Sequence, residues 1–548
     1  MEEFDLLDET IGGRLRKTAM HYPDRECLIC PEKGVRFTYS QFDRMVDDYS
    51  ISMLKLGISV DTKIGLWAPN GPEWPILAFA AARIGAVLVP LNTHYRLEEL
   101  KFAIADSGIH TLFVAEGLKK TEYVDMLFSL IPEIKISGGK KWHSRLFPEL
   151  SNIIVISEKK YPGTLGYSDL SGNDVKNSRK FLDMREVQFD CHSLYSLQYT
   201  SGTTGQPKGV LLTHHNLLNN ACSYLAISPY RATVLCFLPL FHSYGFVIGM
   251  MSTLFNGSTL VLMNRFFPAT ALETIAAEHC DKMYGVPVMF KGMLKLDKSI
   301  TDRYDLSSLT YCVTGGAACD PEMIYEFKER FNCTFLNGYG ITETSPVISV
   351  PREGDDIEDI AHSVGRPLPQ VIVKVINQST GESCPPEING EICVKGYSVM
   401  KGYYKNQQAT AEAIDQYGYY HTGDIGFLDR KGFLHITGRI KDLIIRAGEN
   451  IYPKEVEEFL YGIPSIEHVE VVGAPSKTTG EVVAAFIRLR PGCYLTQRGI
   501  VNYCRGNIAA YKIPRYIFFI EDFPLTATGK VRKNILREMA EEEILRKK

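Results

Sequence analysis

Through the first three quarters of the chain, apolar strand-like runs alternate with helical patterns: strand at residues 63–68, helix at 74–84, strand at 87–91, helix at 97–107 and strand at 111–114. Parallel strands can be joined only by a crossover, and a helix is the usual one, so this rhythm confines the segment to a layered α/β fold. It returns at 233–238, 259–262, 269–279 and 309–314, which predicts a second α/β unit. Residues 371–402 break the rhythm: they are rich in Val, Ile and Gly, with turn residues between and little helical periodicity, as in a small β subdomain. Beyond residues 438–442 comes an α+β pattern, with a helix at 453–461, strands at 468–472 and 482–489 and a last helix after Val531. The expectation is an α/β protein. Its N-terminal domain, residues 1–440, holds two α/β subdomains and a β subdomain, and a small α+β domain covers 441–548.

Such a division suits 548 residues, too many for one hydrophobic core. With 60 Lys and Arg against 64 Asp and Glu, the chain has no overall basic field to attract nucleic acid or anionic lipid, so small molecules are the expected partners. The acidic start Met1-Glu2-Glu3-Phe4-Asp5 lacks the order of a secretory signal, which favours a cytoplasmic chain. The most membrane-like run, residues 75–91, is broken by Arg83 and bounded by prolines; it reads as a buried helix leading into a strand, and no transmembrane segment is expected. Thirteen scattered cysteines do not form a disulfide framework. Cys27 and Cys30 make a C-x-x-C with no second pair or nearby His, so structural thiols are expected there. Nothing in the chain fixes an oligomeric state, and a homodimer is one arrangement open to it.

The chemistry is concentrated in a few blocks. After the apolar run 194–197 comes Tyr199-Thr200-Ser201-Gly202-Thr203-Thr204-Gly205-Gln206-Pro207-Lys208-Gly209-Val210. Glycines let backbone amides approach oxygens, hydroxyls donate to phosphate and Lys208 adds positive charge, which together describe a polyphosphate cradle. The lysine is followed by Gly209 rather than Ser or Thr, so this is not the P-loop of kinases. Further blocks are Pro239-Leu240-Phe241-His242-Ser243-Tyr244-Gly245-Phe246, Thr314-Gly315-Gly316-Ala317 and Asn337-Gly338-Tyr339-Gly340-Ile341-Thr342-Glu343-Thr344. Glu343 carries a hard oxygen donor of the kind Mg²⁺ takes, although a glutamate in isolation is usually solvated, and Gly338-Tyr339-Gly340 in isolation is more often a turn. Last come Tyr420-His421-Thr422-Gly423-Asp424-Ile425-Gly426, Gly438-Arg439, the run from Ile444 to Pro453 and Pro524-Leu525-Thr526-Ala527-Thr528-Gly529-Lys530.

Taken together these blocks resemble the adenylate-forming superfamily of acyl-CoA synthetases, peptide-synthetase adenylation domains and insect luciferases, over nearly the whole chain. The resemblance implies ATP and CoA as co-substrates and Mg²⁺ as cofactor. It implies that Thr200, Ser201, Gly202, Thr203, Thr204, Gly205 and Lys208 receive the phosphates, with Glu343 and the Thr200 hydroxyl on the metal. Gly315, Gly316, Ala317, Asn337, Gly338, Tyr339, Gly340 and Thr342 would surround the rest of the nucleotide, and Asp424 and Arg439 its ribose. His242, Tyr244, Gly245, Val288 and Gly316 are implied to line the acid pocket, and Arg446, Ala447 and Gly448 the thiol tunnel. Lys530 matches the family's catalytic lysine and Lys441 its hinge, about which the small domain is expected to swing; His242 and Glu343 complete the implied catalytic set.

The implied reaction joins a carboxylic acid to AMP and then to the thiol of CoA. The run 444–453 and Gly396-Tyr397-Ser398-Val399-Met400 look most like medium- and long-chain fatty acyl-CoA synthetases, so the acid is expected to be apolar, with a cyclic or aromatic acid as an alternative. Loading of a carrier protein is a second reading, since it would use the same ATP residues. Two departures from the pattern stand out: Ile445 occupies the place of a lysine in luciferases and plant coumarate ligases, and Ala474-Pro475-Ser476-Lys477 lacks the usual acidic residue.

Overall fold

The computed structural model describes residues 4–118, 121–136, 142–172, 175–200, 207–228, 230–447, 449–476, 478–525 and 531–546. It is a mixed α/β protein that packs as two compact units, residues 1–372 with 394–420 and residues 373–393 with 421–548.

Two large sheets build the first unit, in keeping with the alternation in the sequence. In one, the parallel strands Lys63–Trp67, Val87–Pro90, Thr111–Ala115 and Asn152–Ile156 form the centre. The helices Glu73–Arg83 and Leu97–Ser107 make the crossovers. Leu194–Thr200 runs parallel to Val87–Pro90, and Lys208–Thr213 folds back antiparallel against it. The helix Glu73–Arg83 is apolar almost all round because it is covered on every side, and its single cation, Arg83, is fully buried against Asp43 at 2.7 Å and against Asp47. That pairing explains how an arginine can interrupt an apolar run without reaching water. No described helix is long and apolar enough to cross a membrane.

The second sheet carries the parallel strands Thr259–Leu262, Thr233–Cys236, Lys282–Gly285, Tyr311–Gly315 and Thr334–Gly340. At one edge stand Glu26–Cys30 and Val35–Thr38, the former parallel to Thr259–Leu262. Cys27 and Cys30 are buried thiols on that strand, and burial pushes Cys30 up to about 12, which leaves it inert at neutral pH.

The β region expected at 371–402 is larger and differently divided. Ile372–Ile376, Gly390–Lys395, Tyr420–Leu428 and Leu434–Arg439 make one four-stranded sheet, and Gly402–Tyr403 leaves it to pair with Val210 and Leu211 in the first unit. The chain is held there by Tyr404 N–H donating to the Gly209 carbonyl at 2.7 Å and Lys401 N–H to that of Leu211 at 2.9 Å. Packing thus divides the chain ahead of residue 441; the pivot expected at Lys441 concerns motion and is a separate matter.

The rest of the second unit is a sheet of Ile444–Arg446, Glu449–Ile451, Ile466–Ser476, Gly480–Leu489 and Tyr516–Phe519. Side chains alternate faces along a strand. Val483, Ala485 and Ile487 accordingly pack with Val456, Leu460 and Ile500 on one side, while Val482, Ala484 and Phe486 pack with Leu536, Ala540 and Ile544 on the other. The helix Pro453–Tyr461 and the last helix, Lys533–Arg546, match expectation; Gln497–Cys504 is a further helix.

Candidate active site

The antiparallel pair Leu194–Thr200 and Lys208–Thr213 brackets the glycine- and hydroxyl-rich segment. Thr200 stands opposite Lys208 in register, and its hydroxyl donates to the Lys208 carbonyl at 3.4 Å. Ser201, Gly202, Thr203, Thr204 and Gly205 lie outside the described residues, as do Gly448 and Lys530.

From Lys208 a continuous set of contacts runs to Glu343. The Lys208 ammonium lies 4.8 Å from the centroid of the Tyr403 ring, a cation held over a π face. The Tyr403 hydroxyl donates to Glu343 Oε1 at 3.1 Å and lies 3.3 Å from the Tyr420 hydroxyl. Burial, followed by the charge of Glu343, raises both phenols well above their ordinary range, so they stay protonated donors at neutral pH. Glu343 itself sits on the short turn Thr342–Thr344, tied down by Met400 N–H donating to its carbonyl at 2.9 Å. Beside it the hydroxyls of Thr342 and Ser243 are 3.2 Å apart.

The strands Tyr311–Gly315 and Thr334–Gly340 end together, with Thr314 opposite Asn337 and Gly315 opposite Gly338. In open α/β sheets ligands bind at these carboxyl ends. Thr314 Oγ1 and Asn337 Oδ1 are buried without a hydrogen-bond partner among the described residues. Gly316 takes φ +77°, and Gly316, Ala317, Gly338, Tyr339 and Gly340 are half-buried around these strand ends. At Gly340 a Cβ would stand 1.8 Å from the Pro346 carbonyl oxygen, so the backbone approach there requires glycine.

His242 and Tyr244 lie where the chain enters a π-helix, Tyr244–Ser252, a widened turn that often marks functional sites. His242 Nδ1 accepts from Tyr244 N–H at 3.3 Å, and the Tyr244 hydroxyl donates to the Val313 carbonyl at 3.0 Å. The Tyr244 ring lies near Gly315, where an added Cβ would contact it at 3.7 Å. Gly245 is pressed against the chain, with a Cβ there 2.4 Å from the Pro239 carbonyl oxygen. Val288 stands apart in character, 59% exposed on the helix Pro287–Leu294.

Within the second unit, Asp424 and Arg439 are opposite each other in register, with Arg439 Nε 2.7 Å from Asp424 Oδ1. Asp424 is buried and Arg439 exposed. Lys441 follows on the turn Ile440–Asp442; Arg537 donates to its carbonyl at 2.9 Å and to Asp442 Oδ1 at 3.1 Å. Desolvation, then the neighbouring Arg439, lowers the Lys441 ammonium. The Arg446 guanidinium donates to the Tyr511 carbonyl at 2.6 Å, and Ala447 adopts φ +53° with its N–H on the Thr479 carbonyl.

Within the first unit, the described residues Lys208 and Glu343 are linked through Tyr403, as sequence spacing alone does not show. The contacts of Tyr403 and Tyr420 escaped the sequence reading: Tyr403 stands in no glycine-rich block, while Tyr420 opens a block in which the expected ribose contact is Asp424.

This architecture and motif set are those of a nucleotide-binding enzyme. Residues 15–404 match the AMP-binding enzyme family and residues 455–530 the AMP-binding enzyme C-terminal domain. The chain belongs to the AMP-binding enzyme family, within the adenylate-forming superfamily. It is 38% identical over 537 residues, 97% of each chain, to YngI of Bacillus subtilis (strain 168), whose name assigns it provisionally to the acyl-CoA synthetases. It is 35% identical over 549 residues to the mitochondrial medium-chain acyl-CoA ligase ACSF2 of Bos taurus, covering 98% of this chain and 89% of that one. Among solved structures, ATP-bound MatB from Rhodopseudomonas palustris superposes with a TM-score of 0.82 at 25% identity, over 97% of this chain and 99% of the other.

Proposed function

We propose that the protein is an acid:CoA ligase that uses ATP to convert an apolar carboxylic acid, of medium or long chain, into its acyl-adenylate and then its CoA thioester. The observation that carries this reading is the linked set Thr200, Lys208, Tyr403 and Glu343, taken with the buried polar atoms of Thr314 and Asn337 that have no partner among the described residues. The first half supplies cations and hard oxygens for a polyphosphate, and the second supplies unmet hydrogen bonds for a base.

A carboxylate attacks an anionic phosphate poorly, so charge neutralisation and alignment do most of the work. In the proposed first step a carboxylate oxygen of the acid bonds to the α-phosphorus and pyrophosphate leaves. Lys208 and Lys530 offset the negative charge, and Asp424 accepts from the ribose hydroxyls. Glu343 and the Thr200 hydroxyl form an all-oxygen donor set that suits Mg²⁺, with Tyr403 fixing one Glu343 oxygen. When bound, Mg²⁺ supplies charge neutralisation at the phosphates. In the second step the CoA sulfur attacks the acyl carbon, the thiol proton is lost to solvent and AMP departs. Lys441 is the proposed pivot between the two steps, with Arg446 to Gly448 serving the thiol. The apolar acid is favoured by the medium-chain relative and by Tyr244, Gly245, Val288 and His242, which offer no permanent cation for a second carboxylate.

The test is pyrophosphate and AMP release from ATP and magnesium across fatty, cyclic and aromatic acids, with and without CoA. CoA-dependent turnover of medium- or long-chain fatty acids is expected. Turnover confined to cyclic or aromatic acids would reject the chain, and acid-dependent pyrophosphate release indifferent to CoA would reject CoA as acceptor in favour of a carrier protein.

A further inference from the structure

Three segments of the first unit meet at a cluster that contains none of the residues above. Ligand atoms of Asp8, Cys191 and His192 lie within 4.8 Å of one another, with Cys191 Sγ 3.9 Å from Asp8 Oδ1. His215 adjoins them: its ring centroid is 4.8 Å from that of His192, and its backbone N–H donates to the Cys191 carbonyl at 2.6 Å.

Each segment is held in place independently of these side chains. Leu7 N–H donates to Asn219 Oδ1 at 2.7 Å and the Asn219 amide returns to the Leu7 carbonyl at 3.1 Å, fixing the residue before Asp8. Asp190 accepts from the backbone N–H groups of His192 and Ser193 at 2.9 and 3.0 Å, fixing the loop that carries Cys191 and His192. His215 lies in the first turn of the helix His214–Ala226, whose start is capped by Thr213. The backbone of each segment is thus held in place before any ion binds.

We propose that Asp8, Cys191, His192 and His215 form a binding site for a divalent transition-metal ion of the zinc class, which ties the amino-terminal segment to the body of the first unit. Thiolate, imidazole and carboxylate together select zinc-like ions over magnesium or calcium, which take oxygen alone. Burial, then the Asp8 carboxylate, raises the Cys191 thiol, so without metal it is protonated; on binding, the sulfur–metal bond forms as the thiol proton passes to solvent. Asp8 and His192 are exposed, so the ion has a path in.

A second cluster, Glu391, Cys393 and His421, provides an internal control. There His421 Nδ1 is 3.0 Å from Glu391 Oε2 and 3.6 Å from Cys393 Sγ, so Cys393→Ser separates a thiolate at that cluster from one at Cys191.

The experiment is titration of the chelator-treated full chain with Co²⁺, following the near-ultraviolet thiolate-to-cobalt charge-transfer band. One equivalent is expected to give the band in the unmodified protein and in Cys393→Ser, with displacement by Zn²⁺, and Cys191→Ser is expected to lose it. His192→Ala and Asp8→Asn, both at exposed positions, are expected to fold and to bind more than about tenfold more weakly. The proposal is overturned if the unmodified protein gives no band, if the band survives in Cys191→Ser or disappears in Cys393→Ser. Should Cys191→Ser fail to fold, unchanged affinity in His192→Ala would overturn it just as well.

Discussion

Replacing Tyr403 by Phe removes one oxygen atom and leaves the ring beneath Lys208. That oxygen holds Glu343 Oε1 at 3.1 Å, and Tyr403 is 8% exposed, so water cannot simply take its place. A hydrogen bond to a charged acceptor contributes about 1.5–3 kcal/mol, and each 1.36 kcal/mol in a barrier is tenfold in rate. If the bond orients Glu343 for the transition state, Tyr403→Phe should lower kcat/KM for acid-dependent pyrophosphate release by roughly 10- to 150-fold. Tyr420→Phe removes only a contact between two neutral hydroxyls, 3.3 Å apart, and should cost about fivefold. The assay is initial-rate pyrophosphate release at saturating magnesium, with the unfolding midpoint measured in parallel. A Tyr403→Phe enzyme within twofold of the parent, or one that loses no more than Tyr420→Phe, would refute the argument that this hydroxyl positions Glu343.

Four further outcomes are expected. Lys282 is buried with its ammonium 2.8 Å from Ser228 Oγ and 3.6 Å from the centroid of the Tyr230 ring, and desolvation lowers it to about 8. The unfolded chain then holds more protons between about pH 8 and its ordinary pKa near 10.5, so stability should rise with pH across that window by up to about 1.4 kcal/mol per pH unit from this group; Lys282→Met should flatten the rise in denaturant titrations at pH 8 and above. Asp424→Ala should raise the KM for ATP about tenfold or more, and an unchanged KM would remove the carboxylate from the ribose. Lys530→Ala should reduce acid-dependent pyrophosphate release about 10²–10³-fold, as when one preorganised charge stabiliser is deleted, and full retention would contradict the proposed first step. Gly245→Ala forces a methyl against the Pro239 carbonyl oxygen and should cost about 1–3 kcal/mol in denaturant unfolding, whereas a neutral effect would mean the backbone yields there.

Much of the first unit was legible because strand and helix periods are local properties. The runs at 63–68, 87–91 and 111–114 needed no partner to be recognised, and each became a parallel strand. The proposed phosphate site rests on local pattern too: hydroxyls, glycines and Lys208 stand within twelve residues. Glu343 and Asp424 are proposed because their own blocks name them. What local pattern could not reveal was which blocks would touch.

Only tertiary structure decided that Glu26–Cys30 pairs with Thr259–Leu262, more than 200 residues along the chain, and that Gly402–Tyr403 crosses to the strand beside Lys208. The second pairing brings Tyr403 to Glu343 and makes two separate motifs one network. Two residues of strand carry no periodicity to read. Their place is set by which distant edge offers unmet backbone hydrogen bonds and a matching apolar face, a quantity summed over the folded unit and written in no single stretch of sequence.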